Sequence, residues 1–246
     1  MTQPAHQADP GDKAASVVAR VAGPYGALWL VLVLGAAAVT ALTALAAEIY
    51  ESVVEADGLA GVDQPLLDWM ITLRSPGLDA GVTAFTDVGG TVGMPVVALA
   101  AIGVLTWMGR SWRPLILVAA TAAGSLLMTV VGKELIGRAR PALADAVPPY
   151  ESSASFPSGH TLNATAIVAV IVYLCWIELR SRTARIVVLT LGLLFVVGIG
   201  SSRVFLGHHW FTDVVAAWAL GLAWAAVVVL AHRAFHTVRR VRRQSL

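Results

Sequence analysis

Residues 114–132 read PLILVAATAAGSLLMTVVG, an unbroken uncharged run that ends at Lys133. Crossing the hydrocarbon core of a bilayer takes a helix of about 17–25 such residues. The run is long enough to do so. It predicts a membrane-spanning helix.

Five further uncharged runs of similar length lie on either side: Ala27–Ala47, Val88–Gly109, Thr161–Ile177, Ile186–Ser202 and Val214–Ala231. The second opens on Gly89-Gly90, so its membrane part is expected to begin a few residues later. Composition agrees, with 57% apolar residues and 13% charged, where a soluble surface needs roughly a quarter charged. Buried helices of a large soluble protein seldom occur six in a row with almost nothing amphipathic between them. The first run could also be a signal peptide, since Ala44-Leu45-Ala46 resembles a cleavage site. Its apolar stretch exceeds the roughly 7–15 residues of a signal core, and it is expected to be a retained span. The expected fold is therefore all-α: an integral-membrane bundle of six transmembrane helices. A mobile tail over residues 1–24, a membrane domain over 25–232 and a basic tail over 233–246 complete the chain. The single cysteine, Cys175, lies within the fourth span and excludes an internal disulfide.

Six spans put both ends on one side. Lys13, Arg20, Arg110, Arg113, Arg180, Arg182 and Arg185 gather there, with Arg233, Arg239, Arg240, Arg242 and Arg243. The opposite loop, Glu48–Asp87, has eight carboxylates against Arg74 alone. Both termini are expected to be cytoplasmic. The basic tail suits anionic lipid headgroups better than nucleic acid. Within the acidic loop, Asp63 and Pro65 mark a helix start, and Leu66, Met70 and Leu73 recur at helical spacing beside Leu67, Trp69 and Ile71. Either a helix on the outer surface or a packed re-entrant loop fits. A second outer loop, Glu134–Phe156, joins spans three and four.

Polar groups beside apolar spans are costly, so clusters of them call for a reason. Three clusters fall on the expected outer side. Lys133 and Arg140 are seven apart and could share a helix face, and Pro141 then turns the chain away. Phe156-Pro157-Ser158-Gly159-His160 precedes span four, where free N–H groups and the helix dipole attract anions. Ser202-Arg203-Val204-Phe205-Leu206-Gly207-His208-His209-Trp210-Phe211-Thr212-Asp213 links spans five and six. On a helix His209 and Asp213 would lie one turn apart, where a carboxylate fixes the ring tautomer and frees the other nitrogen to attack. Each cluster alone has an ordinary explanation: snorkelling cations, a helix cap, a structural pair. Together they supply three cations, a helix N-terminus and two histidines. Phosphoryl transfer needs such a preorganised cradle, with one histidine attacking phosphorus and the other protonating the leaving oxygen. The residues show no carboxylate-rich metal site.

Lys133-x6-Arg140-Pro141, Pro157-Ser158-Gly159-His160 and Ser202-Arg203-x5-His209-x3-Asp213 resemble, in order and spacing, the three motifs of the type 2 phosphatidic acid phosphatases. Vanadium haloperoxidases share that site. The resemblance implies a metal-independent lipid phosphatase that needs no cofactor. His209 would be the nucleophile that forms a phosphohistidine, Asp213 its orienter and His160 the acid. Lys133, Arg140, Ser158, Gly159 and Arg203 would bind phosphate. His208, outside the motif, is treated as a neighbour. The implied partners are membrane lipids and a lipid phosphate substrate: polyprenyl diphosphate, phosphatidic acid or phosphatidylglycerol phosphate, with undecaprenyl diphosphate mildly favoured by an outward-facing site. A haloperoxidase is disfavoured because those relatives are soluble. A transporter is disfavoured because the charges collect on one side, and a non-catalytic binding protein because every motif position is intact.

Overall fold

The computed structural model describes residues 26–244, so the expected 1–24 tail, with Lys13 and Arg20, lies outside the described residues. Those residues form helices and two short 3-10 turns. The helices are α1 (Gly26–Glu55), α2 (Asp63–Thr72), α3 (Pro76–Val88), α4 (Gly93–Gly109), α5 (Arg113–Ile136), α6 (Gly159–Glu178), α7 (Arg182–Phe205) and α8 (Phe211–Gln244). The turns are Gly58–Val62 and Leu143–Asp145.

Among the described residues, α1, α5, α6, α7 and α8 are each long and apolar enough to cross a membrane, and the bent pair α3–α4, taken together, meets the same measure as a sixth. The centre is α6 with α8: 44% of each apolar window is buried, against 6% for α1. Met94, Val118, Ala164, Ile167, Ile199 and Ala225 pack together there. Small residues let the helix backbones approach closely; a Cβ at Gly221 would lie 2.8 Å from Thr165 Cβ and 2.9 Å from Leu162 O. Large apolar side chains such as Trp29, Leu34, Leu99 and Leu194 point outward. Nothing in the apolar sequence calls for a soluble core there, and a bilayer supplies the missing solvent.

Local chemistry fixes the ends. Ser75 caps α3 by accepting from Leu78 N at 3.4 Å, with Pro76 in its first turn. Gly137 ends α5 in the left-handed region, φ 61°, and its N–H donates to Lys133 O. Ser181 caps α7 by accepting from Ala184 N.

Several boundaries differ from the sequence reading. The first span runs eight residues beyond Ala47, because Ile49 is buried and packs near Phe156 and Ala216. The second span is preceded by α3 and bends 48° at the glycines between the two helices. The loop 48–87 therefore holds two helices, with Asp63 and Leu67 of α2 buried and Trp69 exposed. The basic tail is not separate: α8 continues helical to Gln244, since neither glycine nor proline interrupts residues 222–244.

Candidate active site

The C-terminal ends of α5 and α7 and the N-terminal ends of α6 and α8 meet at one end of the bundle. Arg74 ties the loops over them, donating through Nε to Phe205 O at 2.8 Å and through Nη1 to Asp145 O at 2.6 Å. Val147 N donates to Leu206 O at 2.9 Å. Gly207, at φ 70°, lies against the Asp145 backbone where a Cβ would collide. The only cation of the acidic loop is thus a clamp on the loops that carry the site.

His209 is not on a helix with Asp213, as the spacing suggested. It stands just before α8, whose first turn contains Asp213. The pairing survives, with His209 Nδ1 3.4 Å from Asp213 Oδ2. Asp213 Oδ2 also accepts from Ser155 Oγ and from Trp210 N at 3.0 Å. Oδ1 accepts from Arg138 Nη1 at 2.5 Å. The same Arg138 donates through Nη2 to Asp63 Oδ2 at 2.7 Å, while Asp63 Oδ1 accepts from Thr212 N at 2.9 Å. The Asp213 carboxylate is therefore braced from α2, through Arg138 and Asp63, as well as from the turn that opens its own helix.

His209 Nε2 faces Arg140 Nη1 at 3.1 Å. Burial lowers the His209 imidazole to about 4, against the opposing pull of Asp213, and Arg140 and Arg203 add to the lowering. The ring is neutral at neutral pH, and its contact with Asp213 is that of an oriented imidazole rather than an ion pair. Burial likewise lowers His208. His208 Nε2 meets Val147 O at 2.7 Å, and its Nδ1 has no hydrogen-bond partner among the described residues.

The phosphate-binding residues expected from the sequence converge, but not through one helix face. Because α5 ends at Ile136, Arg140 reaches the site from a loop. Lys133 Nζ donates to Ser153 Oγ at 3.0 Å and to Ala154 O. Arg140 donates through Nε to Ser153 O at 2.7 Å and through Nη2 to Ser153 Oγ at 3.1 Å. Arg203, on α7, donates to Thr86 Oγ1 at 3.3 Å, and its buried Nε is unpartnered among the described residues. Gly159 opens α6 and lines the cavity. Ser158 is fully buried, and its hydroxyl pairs with Thr161 Oγ1 at 3.0 Å.

A cavity of about 1000 Å³ opens beside these groups. Lys133, Arg203, His160 and Gly159 line its polar end; Met94, Leu126 and Ile167 line its apolar part. His160 Nε2 lies beside the glycine bend, 3.1 Å from where a Cβ on Gly90 would stand. Sequence reasoning missed Glu151, whose carboxylate pairs with Arg203 and, at 2.7 Å, with Arg140. Burial would raise the Glu151 carboxyl, but Arg203 foremost, with His209 and Arg140, holds it at about 2. It also missed the roles of Arg138, Ser155 and Asp63. Among the described residues, no group of three or more His, Cys, Asp or Glu side chains could hold a metal ion.

The PAP2 superfamily model matches residues 113–236, which hold all three polar clusters. The chain belongs to the PAP2 superfamily. It is 32% identical over 177 residues to phosphatidylglycerophosphatase B of Bacillus subtilis, covering 71% of this chain and 85% of that protein. A solved transmembrane PAP2-type phosphatidylglycerolphosphate phosphatase from B. subtilis superposes with a TM-score of 0.68 at 28% identity, over 79% of this chain and 93% of that one. Aquifex aeolicus LpxE, at 22% identity and a TM-score of 0.52, shares the fold over 68% of this chain and 94% of its own. This PAP2 protein is a multi-pass membrane lipid phosphatase, of a class that works without a metal ion.

Proposed function

We propose that the chain hydrolyses a phosphomonoester or diphosphate headgroup through a phosphohistidine on His209, at the extracytoplasmic face of the cell membrane. The observation that carries this is the placement of the His209 imidazole, with Nδ1 turned to Asp213 and Nε2 turned to Arg140. Asp213 keeps the proton on Nδ1, so the Nε2 lone pair attacks phosphorus in line. Lys133, Arg140, Arg203 and the N-terminus of α6 at Ser158 and Gly159 hold the equatorial oxygens. His160, which takes up a proton as the phosphate dianion binds beside it, gives that proton to the departing alkoxide. Water, losing a proton to His160, then displaces phosphate from Nε2 and restores the imidazole.

The cavity supports a lipid substrate, since its polar end would take the headgroup and its apolar part the first carbons of the chains. Among the headgroups considered, phosphatidylglycerol phosphate gains support from the named activity of the Bacillus relative. Phosphatidic acid and undecaprenyl diphosphate are the comparison substrates.

The test is phosphate release by purified protein from each of these lipids in detergent with EDTA. His209→Ala should abolish release and leave the fold intact by circular dichroism. Full activity in that variant would refute the mechanism.

A further inference from the structure

One carboxylate stands where the substrate's phosphate would stand. Glu151 pairs through Oε1 with Arg203 Nη2 and through Oε2 with Arg140 Nη2 at 2.7 Å. Oε1 lies 3.9 Å from His160 Nδ1 and 4.0 Å from His208 Nδ1. Two of the three phosphate-binding cations are thus occupied by a single side chain from the chain itself. Behind them His209 is 1% exposed, with Nε2 against Arg140. It does not line the large cavity. The guanidinium that faces Nε2 is the one that Glu151 holds.

Two features let the Glu151–Arg140 contact open. The Glu151 side chain stays 27% exposed, on the loop before α6. A second, smaller cavity of about 50 Å³ also borders it, between Pro141, Leu143, Tyr150 and Gly207. The carboxylate can retreat into that space or into solvent without disturbing a helix.

We propose that Glu151 is a specificity-determining residue: its carboxylate fills the phosphate site until a dianionic phosphate displaces it. The proposal rests on the reading that Arg140 and Arg203 hold the substrate phosphate. At equal distance a dianion interacts with these guanidinium groups about twice as strongly as a carboxylate does. A phosphodiester headgroup, with one negative charge, gains no such advantage and must still move the glutamate. A bilayer surrounds this site with phosphodiester lipids, so an unguarded cluster of three cations would be occupied by them. After turnover the returning carboxylate competes with orthophosphate and speeds its release.

Glu151→Gln in the full-length protein separates this role from a bracing one. The readouts are inhibition constants for inorganic phosphate and for phosphatidylglycerol, measured against hydrolysis of a lipid phosphomonoester in detergent. A competitor that holds the site nine-tenths of the time weakens apparent binding about tenfold. The inhibition constant for phosphate should therefore fall about tenfold or more in E151Q, and phosphatidylglycerol should become an inhibitor. If Glu151 only braces the two arginines, the constant should rise. An unchanged or raised constant overturns the proposal, and a fall without inhibition by the diester overturns its selectivity. Glu151→Asp, one methylene shorter, should give an intermediate fall and serves if E151Q does not fold; an unchanged or raised constant there overturns the proposal too. Absence of lipid hydrolysis by the wild-type protein would instead sink the reading on which the proposal rests.

Discussion

Replacing Arg138 tests whether catalysis depends on the brace behind Asp213. Arg138 is 15% exposed and forks between two carboxylates, at 2.5 Å to Asp213 and 2.7 Å to Asp63. Arg138→Met leaves both carboxylates without their cation, and breaking one buried pair costs about 3–5 kcal/mol. The lower end applies, because Asp213 keeps Ser155 and Trp210 N, and Asp63 keeps Thr212 N and Oγ1. A loss of about 3 kcal/mol lowers the thermal midpoint by roughly 6–12 °C for a domain of this size. The kinetic loss comes from orientation: freeing Asp213 to shift by about 1 Å should cost about a hundredfold in kcat. KM should change by less than about threefold, since Arg138 has no contact with Lys133, Arg140 or Arg203 and uniform binding is untouched. Arg138→Lys keeps the charge but cannot fork to both partners, so it should fall between. Steady-state kinetics on a detergent-dispersed lipid phosphate, with thermal melts of each variant, provide the assay. A raised KM with unchanged kcat would make Arg138 a phosphate ligand and refute the reasoning, as would full activity.

Two further outcomes are expected. With His209 at about 4, roughly nine-tenths of the proposed nucleophile stays neutral at pH 5, against about 3% for an ordinary histidine near 6.5. Its folded-state value lies below the unfolded one, so the stability gained from a neutral His209 is lost as pH falls from about 6.5 through 4. A ring titration of His209 by NMR with a midpoint near 6.5 would contradict this. At the glycine bend, Gly90→Ala would place a methyl 3.1 Å from both Asp87 O and His160 Nε2, displacing the proposed acid and lowering kcat about tenfold. The deficit should shrink with an activated leaving group such as p-nitrophenolate, which needs little proton assistance; an equal deficit on both substrates would count against His160 as the acid.

The apolar runs were legible because a bilayer imposes a length and forbids charge, so 114–132 and its companions appear almost unchanged as helices. The chemistry of the site was legible as spaced motifs, but its geometry was not. Lys133 with Arg140, and His209 with Asp213, were assigned helical neighbourhoods that the chain does not use, because each pair straddles a helix end. Loop ties position them instead, and a tie such as Arg74 to Asp145 O and Phe205 O leaves no periodicity in sequence. Glu151 was missed for a related reason. A single carboxylate in a loop reads as solvated, and only the fold sets it between Arg140 and Arg203. Asp63 carried a partial signal as a helix start, but its reach to Arg138 and Thr212 depends on how α2 lies across the bundle.

Arg138 and Arg140, two residues apart, show how partners rather than residue type assign a role. Arg138 is held by two buried carboxylates that have further donors of their own. Its charge is neutralised permanently, so little attraction remains for an incoming anion. Arg140 bonds mainly to the carbonyls of Ser153, His208 and Ala154, which fix its direction without cancelling its charge. Its one carboxylate partner, Glu151, is partly exposed and borders empty space. An arginine steered by carbonyls and balanced by one movable carboxylate suits an anion that must arrive, react and leave. An arginine locked between two buried aspartates suits a support that must not move. The same distinction puts Arg203 with Arg140, since its charged partner is also Glu151 and its Nε has no hydrogen-bond partner among the described residues. In the proposed mechanism phosphate therefore goes to Arg140 and Arg203, with Lys133 beside them, and Arg138 acts only through Asp213.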